Sequence, residues 1–266
     1  MNFLLLPDKF KGSLTAQQLI ASIKKGVLKV LPQADFRHVV ASDGGDGFLD
    51  AVAEYRETTT ISTTVVDPLG SELKTTMLAN KSTGEAFIEM AKASGLVLLN
   101  PKEQSAMVTS TRGTGMQIRN AIKQGLNKIY IGLGGSATND AGMGIAFELG
   151  YRFFDEYGNS LDPIGANLVR VHSINAEEVL PELRQTEIYA VNDVNNPLFG
   201  PQGAAQVYAE QKGANQEEIR ILDRGLQNLD LRVKQQFGLD NASIPGAGAA
   251  GGTAYGLKCF LNAEFI

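Results

Sequence analysis

Apolar positions recur along the chain with two spacings. Residues 3–6 form a short apolar run that predicts a buried strand. Thr15 and Gln18 make a capping box, after which Leu19, Ile20, Ile23, Val27, Leu28 and Leu31 recur at helical spacing until Pro32. A second strand is predicted over 36–41 and a second helix over 48–55, so the chain opens with βα units. The texture then changes. Residues 58–66 and 71–78, rich in Thr and Val and separated by Asp67-Pro68-Leu69-Gly70, read as a hairpin, with a further strand over 86–89. This shift places a boundary near residues 60–68. A helix running to about Gln124 follows the polar stretch 109–115. Strands are predicted over 129–131, 151–155 and 188–191. Asn215 and Glu218 cap a long helix that carries Ile219, Leu222, Leu226, Leu229, Val233 and Phe237 on one face and ends at Gly238.

Polar, glycine-bearing segments fall where these elements end: 7–13, 42–47, 109–115, 132–144, 192–200 and 245–253. Parallel sheets bind ligands at the carboxyl ends of their strands. Glycines let a backbone approach a ligand closely, and helix N-termini favour anions. The stretch Gly132-Leu133-Gly134-Gly135-Ser136-Ala137-Thr138-Asn139-Asp140, after an apolar strand and before a helix, is the central candidate for an anion cradle.

Composition narrows the classes. The chain has 266 residues, 43% of them hydrophobic and 20% charged, with a net charge of −5. Such a chain suits one large α/β unit or two smaller lobes. An acidic chain of this kind argues against general nucleic-acid or acidic-membrane binding. Cys259 stands alone, which excludes an intrachain disulfide and fits a cytoplasmic setting. The N-terminus lacks the basic region and long apolar run of a signal peptide, and no segment reaches membrane-spanning length.

No Gly-x-x-x-x-Gly-Lys-Ser/Thr element exists, and His38 and His172 are not spaced for zinc or placed for a hydrolase triad. Phosphoryl transfer asks for N–H groups, lysines and a carboxylate-held Mg²⁺ around the moving phosphoryl group. Lys9, Lys11, Lys212 and Arg112 sit in or beside the polar loops, and Asp8, Asp43, Asp46, Asp140 and Asp193 can hold a metal or accept a proton. A competing reading is a NAD-dependent oxidoreductase: Gly132-x-Gly134-x-x-Ala137 follows a strand, and Asp155 lies about twenty residues on, where a ribose-binding acid belongs.

Six ordered motifs resemble the glycerate kinase family of bacterial glyoxylate and glucarate metabolism: Pro7-Asp8-Lys9-Phe10-Lys11-Gly12-Ser13-Leu14, residues 41–47, 132–140, Asp193-Val194-Asn195-Asn196-Pro197-Leu198-x-Gly200-Pro201, Glu210-Gln211-Lys212-Gly213-Ala214, and residues 246–252. The resemblance spans essentially the whole chain. It implies ATP-dependent, Mg²⁺-requiring phosphorylation of D-glycerate, with 2-phosphoglycerate favoured as product. The implied fold is a two-lobed α/β protein with a Rossmann-like parallel-sheet lobe, begun by residues 1–65, and a second lobe with a mixed sheet, residues 66–266. The family usually has Ser where this chain has Lys9. It also continues past the last glycine-rich motif with strands that complete the first lobe, and these are not in the present sequence. A first lobe without them would keep an open edge or be completed by a second copy, and a nucleotide- or anion-binding module without turnover is the alternative this implies. Carried over by position, the family's motifs make Asp193 the proton acceptor, Asp43 its reserve and Lys11 the main phosphate-neutralising lysine. Asp8, Lys9, Ser13, Gly44, Gly45, Arg112, Gly134, Gly135, Ser136, Thr138, Asn139, Lys212, Gly248 and Gly251 would bind substrate and phosphate, and Asp193 and Asp140 the metal.

Overall fold

The computed structural model describes residues 1–7 and 13–266. Strand β1 (Asn2–Leu5) pairs in parallel with β2 (Asp35–His38), the two being joined through helix α1 (Ala16–Val30). The capping box forms as the sequence predicts: Gln18 N donates to Thr15 Oγ1 at 3.1 Å, and Thr15 N donates to Gln18 Oε1 at 2.9 Å. Helix α2 (Phe48–Tyr55) follows β2 and leads out of this two-stranded sheet.

A six-stranded sheet forms the centre of the molecule. Its hairpin, β3 (Thr59–Val66) and β4 (Glu72–Asn80), turns through Asp67-Pro68-Leu69-Gly70, where the Asp67 carboxylate accepts from Leu69 N and Ser71 N. Strand β3 pairs with β4 along its whole length, so the change of sheet falls at residues 56–58, ahead of the division at 65/66 that the sequence suggests. Strand β5 (Glu85–Glu89) pairs antiparallel with β4. Short helix α3 (Ala91–Ser94) and helix α4 (Arg112–Lys123) then return the chain to β6 (Lys128–Gly132), parallel to β5. After α5 (Met143–Glu148), strands β7 (Arg152–Phe154) and β8 (Ser173–Asn175) make a separate antiparallel pair. Strand β9 (Glu187–Val191) rejoins the main sheet beside β6. Helices α6 (Ala204–Tyr208), α7 (Gln216–Phe237) and α8 (Ala249–Leu261) precede the final strand β10 (Glu264–Phe265), giving the order β10-β9-β6-β5-β4-β3.

Strand periodicity divides the apolar residues between the two faces. Met77, Ala79, Ile88, Ile129, Ile131, Ile188 and Ala190 enter the large core with Ile118 of α4, Leu226 and Leu229 of α7, and Tyr255 and Leu257 of α8. On the other face, Leu78 and Phe87 pack with Phe48 and Leu49 of α2. There Phe87, Tyr130 and Tyr189, register neighbours on three strands, stack with ring centroids 5.1 and 4.8 Å apart. Among the described residues no helix is long and apolar enough to cross a membrane.

Candidate active site

The parallel strands β5, β6 and β9 end together at Glu89, Gly132 and Val191, and four of the glycine-bearing segments meet beyond those ends. The glycines there serve chiefly to bring loops against one another. Gly134 N donates to the Gly44 carbonyl at 3.0 Å, Leu133 N to that of Val191 at 3.2 Å, Gly248 N to that of Asn196 at 2.9 Å, and Ala141 N to that of Gly251 at 3.2 Å. A β-carbon on Gly132 would stand 2.5 Å from the Gly44 carbonyl, and one on Gly135 would stand 2.5 Å from Asp46 Oδ1. One on Gly134 would overlap the Gly45 backbone, one on Gly248 the Pro197 carbonyl and one on Gly251 the Thr138 carbonyl. Only hydrogen at these positions allows the approach. Gly44, Gly248 and Gly251 are therefore spent on loop-to-loop packing, whereas Gly45, Gly134 and Gly135 also border open space.

That space is a cleft of about 410 Å³. Asp43 and Asp46 come from the loop after β2, Gly134 to Ser136 from the loop after β6, and Asn192 to Val194 from the loop after β9. Tyr208, Gln211 and Lys212 close it on one side, and Ala249 and Ala250 at the start of α8 on another. Ala250, Gly251 and Gly252 all have left-handed backbone conformations (φ 54°, 66° and 82°), so the regular helix begins after them.

Lys212 dominates the electrostatics of the cleft. It is 2% exposed, and its ammonium donates to Ser136 Oγ at 2.9 Å and to the Thr138 carbonyl at 2.7 Å. Both acceptors are neutral, and no described carboxylate forms an ion pair with it. Burial pulls its pKa down to about 7, with the negative charge of Asp140 working against that shift. Asp193 is exposed at the mouth, and no described group donates a hydrogen bond to it. Asp43 accepts from Gly45 N at 2.7 Å. The combination is a cleft walled by backbone amides and one desolvated cation, with carboxylates at its mouth. Such a cleft can take a polyanion on the cation and hold a hydroxyl donor against a carboxylate.

Behind the cleft wall, Asp140 is fully buried. Its carboxylate accepts from Thr111 N and Oγ1, both at 2.8 Å, and from Gly142 N and Gly144 N, both at 3.2 Å. Burial raises its pKa while these four donors pull it back. Asp140 ties the start of α4 to the start of α5, with its lone pairs already engaged. Thr138 Oγ1 and both polar side-chain atoms of Asn139 are buried without a hydrogen-bond partner among the described residues. Leaving a buried amide unsatisfied costs about 1–3 kcal/mol, and such costs gather at functional sites.

A scan against protein-family models matches residues 3–266 to the glycerate kinase family. The chain belongs to that family. A glycerate kinase of Halalkalibacterium halodurans is 39% identical over 260 residues, covering 98% of this chain and 68% of the relative. The glycerate 2-kinase of Escherichia coli is 36% identical over 264 residues, covering 99% and 69%. A crystal structure assigned to glycerate kinase 2 of Salmonella typhimurium superposes with a TM-score of 0.87 at 35% identity, over 100% of this chain and 71% of that one.

In this kinase the fold gathers Asp43, Gly45, Gly134, Gly135, Ser136, Asp193 and Lys212 around one cleft. Thr138 touches the cleft through Lys212, and Asn139 lies behind it. Asp8, Lys9 and Lys11 lie outside the described residues, and Ser13 is exposed at the start of α1. Arg112 sits elsewhere. It faces a groove with Arg119, Arg152 and Phe147, and its Nε and Nη2 both reach the buried Glu148 carboxylate at 2.8 Å. Asp155 is likewise far from a ribose-binding role. Strand β7 is outside the main sheet, and Asp155 accepts from Tyr157 N and Asn159 N in its own turn and pairs with Arg170. Tyr208, Leu96 and Val97 line the cleft without having been singled out in the sequence. A five-residue helix and a single helical turn are too short for periodicity to mark them.

Proposed function

We propose that this kinase transfers the γ-phosphoryl group of ATP to a hydroxyl of D-glycerate in the cytoplasm, giving 2-phosphoglycerate, with the reaction housed in the cleft between the β1–α1–β2–α2 lobe and the larger sheet. The observation that supports this best is Lys212, a buried ammonium on the cleft wall whose protein partners are a hydroxyl and a carbonyl. Its cost of desolvation is offset when an anion joins it.

In this reading the polyphosphate lies against Gly134, Gly135, Ser136 and Lys212. Asp193, which no described group occupies, accepts the glycerate hydroxyl proton, with Asp43 in reserve. The hydroxyl oxygen forms the new bond to the γ-phosphorus, the bond from that phosphorus to the β–γ bridging oxygen breaks, and ADP leaves with that electron pair. Lys212 neutralises charge on the phosphoryl oxygens as the transfer proceeds.

Among the described residues no group of three or more His, Cys, Asp or Glu side chains could hold a metal ion by itself. Mg²⁺ is commonly held by one or two carboxylates together with substrate phosphates, and the cleft's Asp43, Asp46 and Asp193 fit that pattern. When bound there, Mg²⁺ would supply charge neutralisation on the β- and γ-phosphoryl oxygens.

A coupled ADP-release assay with D-glycerate, followed by NMR identification of the phosphoglycerate isomer, tests the proposal. Glycerate-dependent ADP release is expected. Release indifferent to glycerate, in protein that melts cooperatively, would remove the acceptor assignment, and a 3-phosphoglycerate product would remove the regiochemistry alone.

A further inference from the structure

Glu89 is a buried carboxylate, 4% exposed, that stands beside the cleft without lining it. It ends β5 opposite Gly132 of β6. Strand periodicity sends its side chain to the same face of the sheet as Phe87. On that face Phe87 and Leu78 pack against Phe48 and Leu49 at the start of α2, and there the Glu89 carboxylate accepts from Leu49 N at 3.2 Å. The N-cap of α2 is Gly47, in a left-handed conformation (φ 85°), and it has no side chain with which to cap the helix. A helix start leaves N–H groups unpaired and favours negative charge, so Glu89 does from the end of β5 what the N-cap residue cannot. Burial pushes the Glu89 pKa up; the Leu49 N–H, the Lys92 ammonium and the Gly47 N–H draw it back, and Asp46 adds to the rise.

The loop that runs into this helix carries Asp43 and Asp46 to the cleft. Its shape is coupled to the helix start, because Phe48 N donates to the Gly45 carbonyl at 3.0 Å, and Gly45 N donates to the Asp43 carboxylate at 2.7 Å. A movement of the first turn of α2 therefore moves both aspartates. On its far side the loop meets the opposite wall of the cleft, where the Gly44 carbonyl accepts from Gly134 N at 3.0 Å. We infer that Glu89 is a positioning residue for phosphoryl transfer: by capping α2 from the end of β5, it fixes where Asp43 and Asp46 stand against the Gly134–Ser136 wall. The inference rests on the kinase reading above and adds to it a residue that need not touch substrate. Reach is what this role demands, since the carboxylate must span the gap between the sheet and the helix. Misplacing reacting groups by about 1 Å costs on the order of 100-fold in rate, so a lost cap should be felt in turnover.

Two variants of the full chain separate reach from charge. Glu89→Gln keeps an acceptor oxygen at the same reach and removes the charge, whereas Glu89→Asp keeps the charge and withdraws it by one methylene. Steady-state kinetics with ATP, D-glycerate and saturating Mg²⁺ are measured beside hydrogen–deuterium exchange of residues 43–52, with α7 as the internal reference. Glu89→Asp should lower kcat by about 10- to 100-fold, leave KM for glycerate within about threefold, and speed exchange over 43–52 with α7 unchanged. Glu89→Gln should stay within about fivefold of wild-type kcat and keep the loop protected. Wild-type kcat in Glu89→Asp, or a Glu89→Gln variant that folds and protects the loop yet loses turnover, would overturn the inference, the second because the charge itself would then act on the reaction. If the wild-type chain shows no glycerate-dependent turnover, the acceptor assignment alone falls. Loosening of 43–52 in Glu89→Asp but not in Glu89→Gln still upholds the hold on the loop, and equal protection in all three proteins overturns it.

Discussion

Two regions of this kinase collect cations beside helix ends, and they use them in opposite ways. In the groove beside α4 and α5, Arg112 and Arg119 are partly exposed, and both address Glu148, whose side chain is only 6% exposed. Arg112 and Arg152 also flank the Phe147 ring, at 5.1 and 4.6 Å from its centroid. Every cation there has a carboxylate partner within the protein: Arg112 and Arg119 share Glu148, and Arg152 pairs with Glu178. In the cleft at the strand ends, Lys212 is buried, and its partners among the described residues are neutral. A cation whose counter-charge is built in holds a structure together. One whose counter-charge is missing is poised for an anionic ligand. The contrast yields predictions of decreasing size.

The largest effect should come from Asp193, the cleft carboxylate to which no described group donates a hydrogen bond. Asp193→Asn should lower kcat by about 100- to 10,000-fold with KM values little changed, since general-base catalysis contributes on that scale. Steady-state kinetics decide it, and a variant with unaltered kcat would move the base assignment to Asp43.

Lys212→Met should lower kcat/KM by about 100- to 1,000-fold, the usual loss when one charge-stabilising donor is removed. A pH profile adds a sharper check. The lysine binds an anion only as its ammonium, and in the free enzyme burial pulls its pKa to about 7, so kcat/KM should fall as pH rises through that value. A bound phosphate favours the ammonium and raises its pKa, so the matching limb in kcat should lie at higher pH. A kcat/KM that stays flat from pH 6 to about 9 would show that the Lys212 charge plays no part in binding.

Sequence periodicity sufficed for much of the fold. The capping boxes at Thr15 and Asn215 rest on local spacing, as does the apolar stripe of α7, and each forms as expected. The hairpin could be placed because Asp67-Pro68-Leu69-Gly70 interrupts two Thr- and Val-rich runs. What periodicity cannot convey is which groups meet. Glycines at 44, 134, 248 and 251 announce close backbone approach, yet composition does not say whether a ligand or another loop approaches, and here loops do. Lys212 and Arg112 look alike as cations beside glycine motifs, and only tertiary packing separates them. Asp155 lies at the distance a ribose-binding acid would have, but its strand pairs with β8 instead of joining the parallel sheet, a non-local choice with no local signature.

Gly134→Ala probes the loop packing without touching charge. The added methyl would overlap the Gly45 backbone, and overpacking of this kind costs about 1–3 kcal/mol. A denaturant melt should show that loss. Activity should fall as well, because the displaced loops carry Asp43 on one side and Ser136 on the other.

The smallest catalytic effect should belong to the other region. Arg112→Met leaves Glu148, among the described residues, with Arg119 alone, at 3.5 Å, as its counter-charge. A buried carboxylate that loses its closer partner costs about 1–3 kcal/mol, and the stability loss should be visible in a denaturant melt. Turnover of the folded variant should nonetheless stay within about threefold of wild type, since the guanidinium faces a groove that the cleft does not share. The result bears on both regions at once. If the variant melts early but turns over normally, the arginine groove is structural and Lys212 alone supplies cationic charge among the described groups of the cleft. If it melts normally but loses affinity for ATP or glycerate, anion binding extends to the arginine groove, and the contrast between the two regions fails.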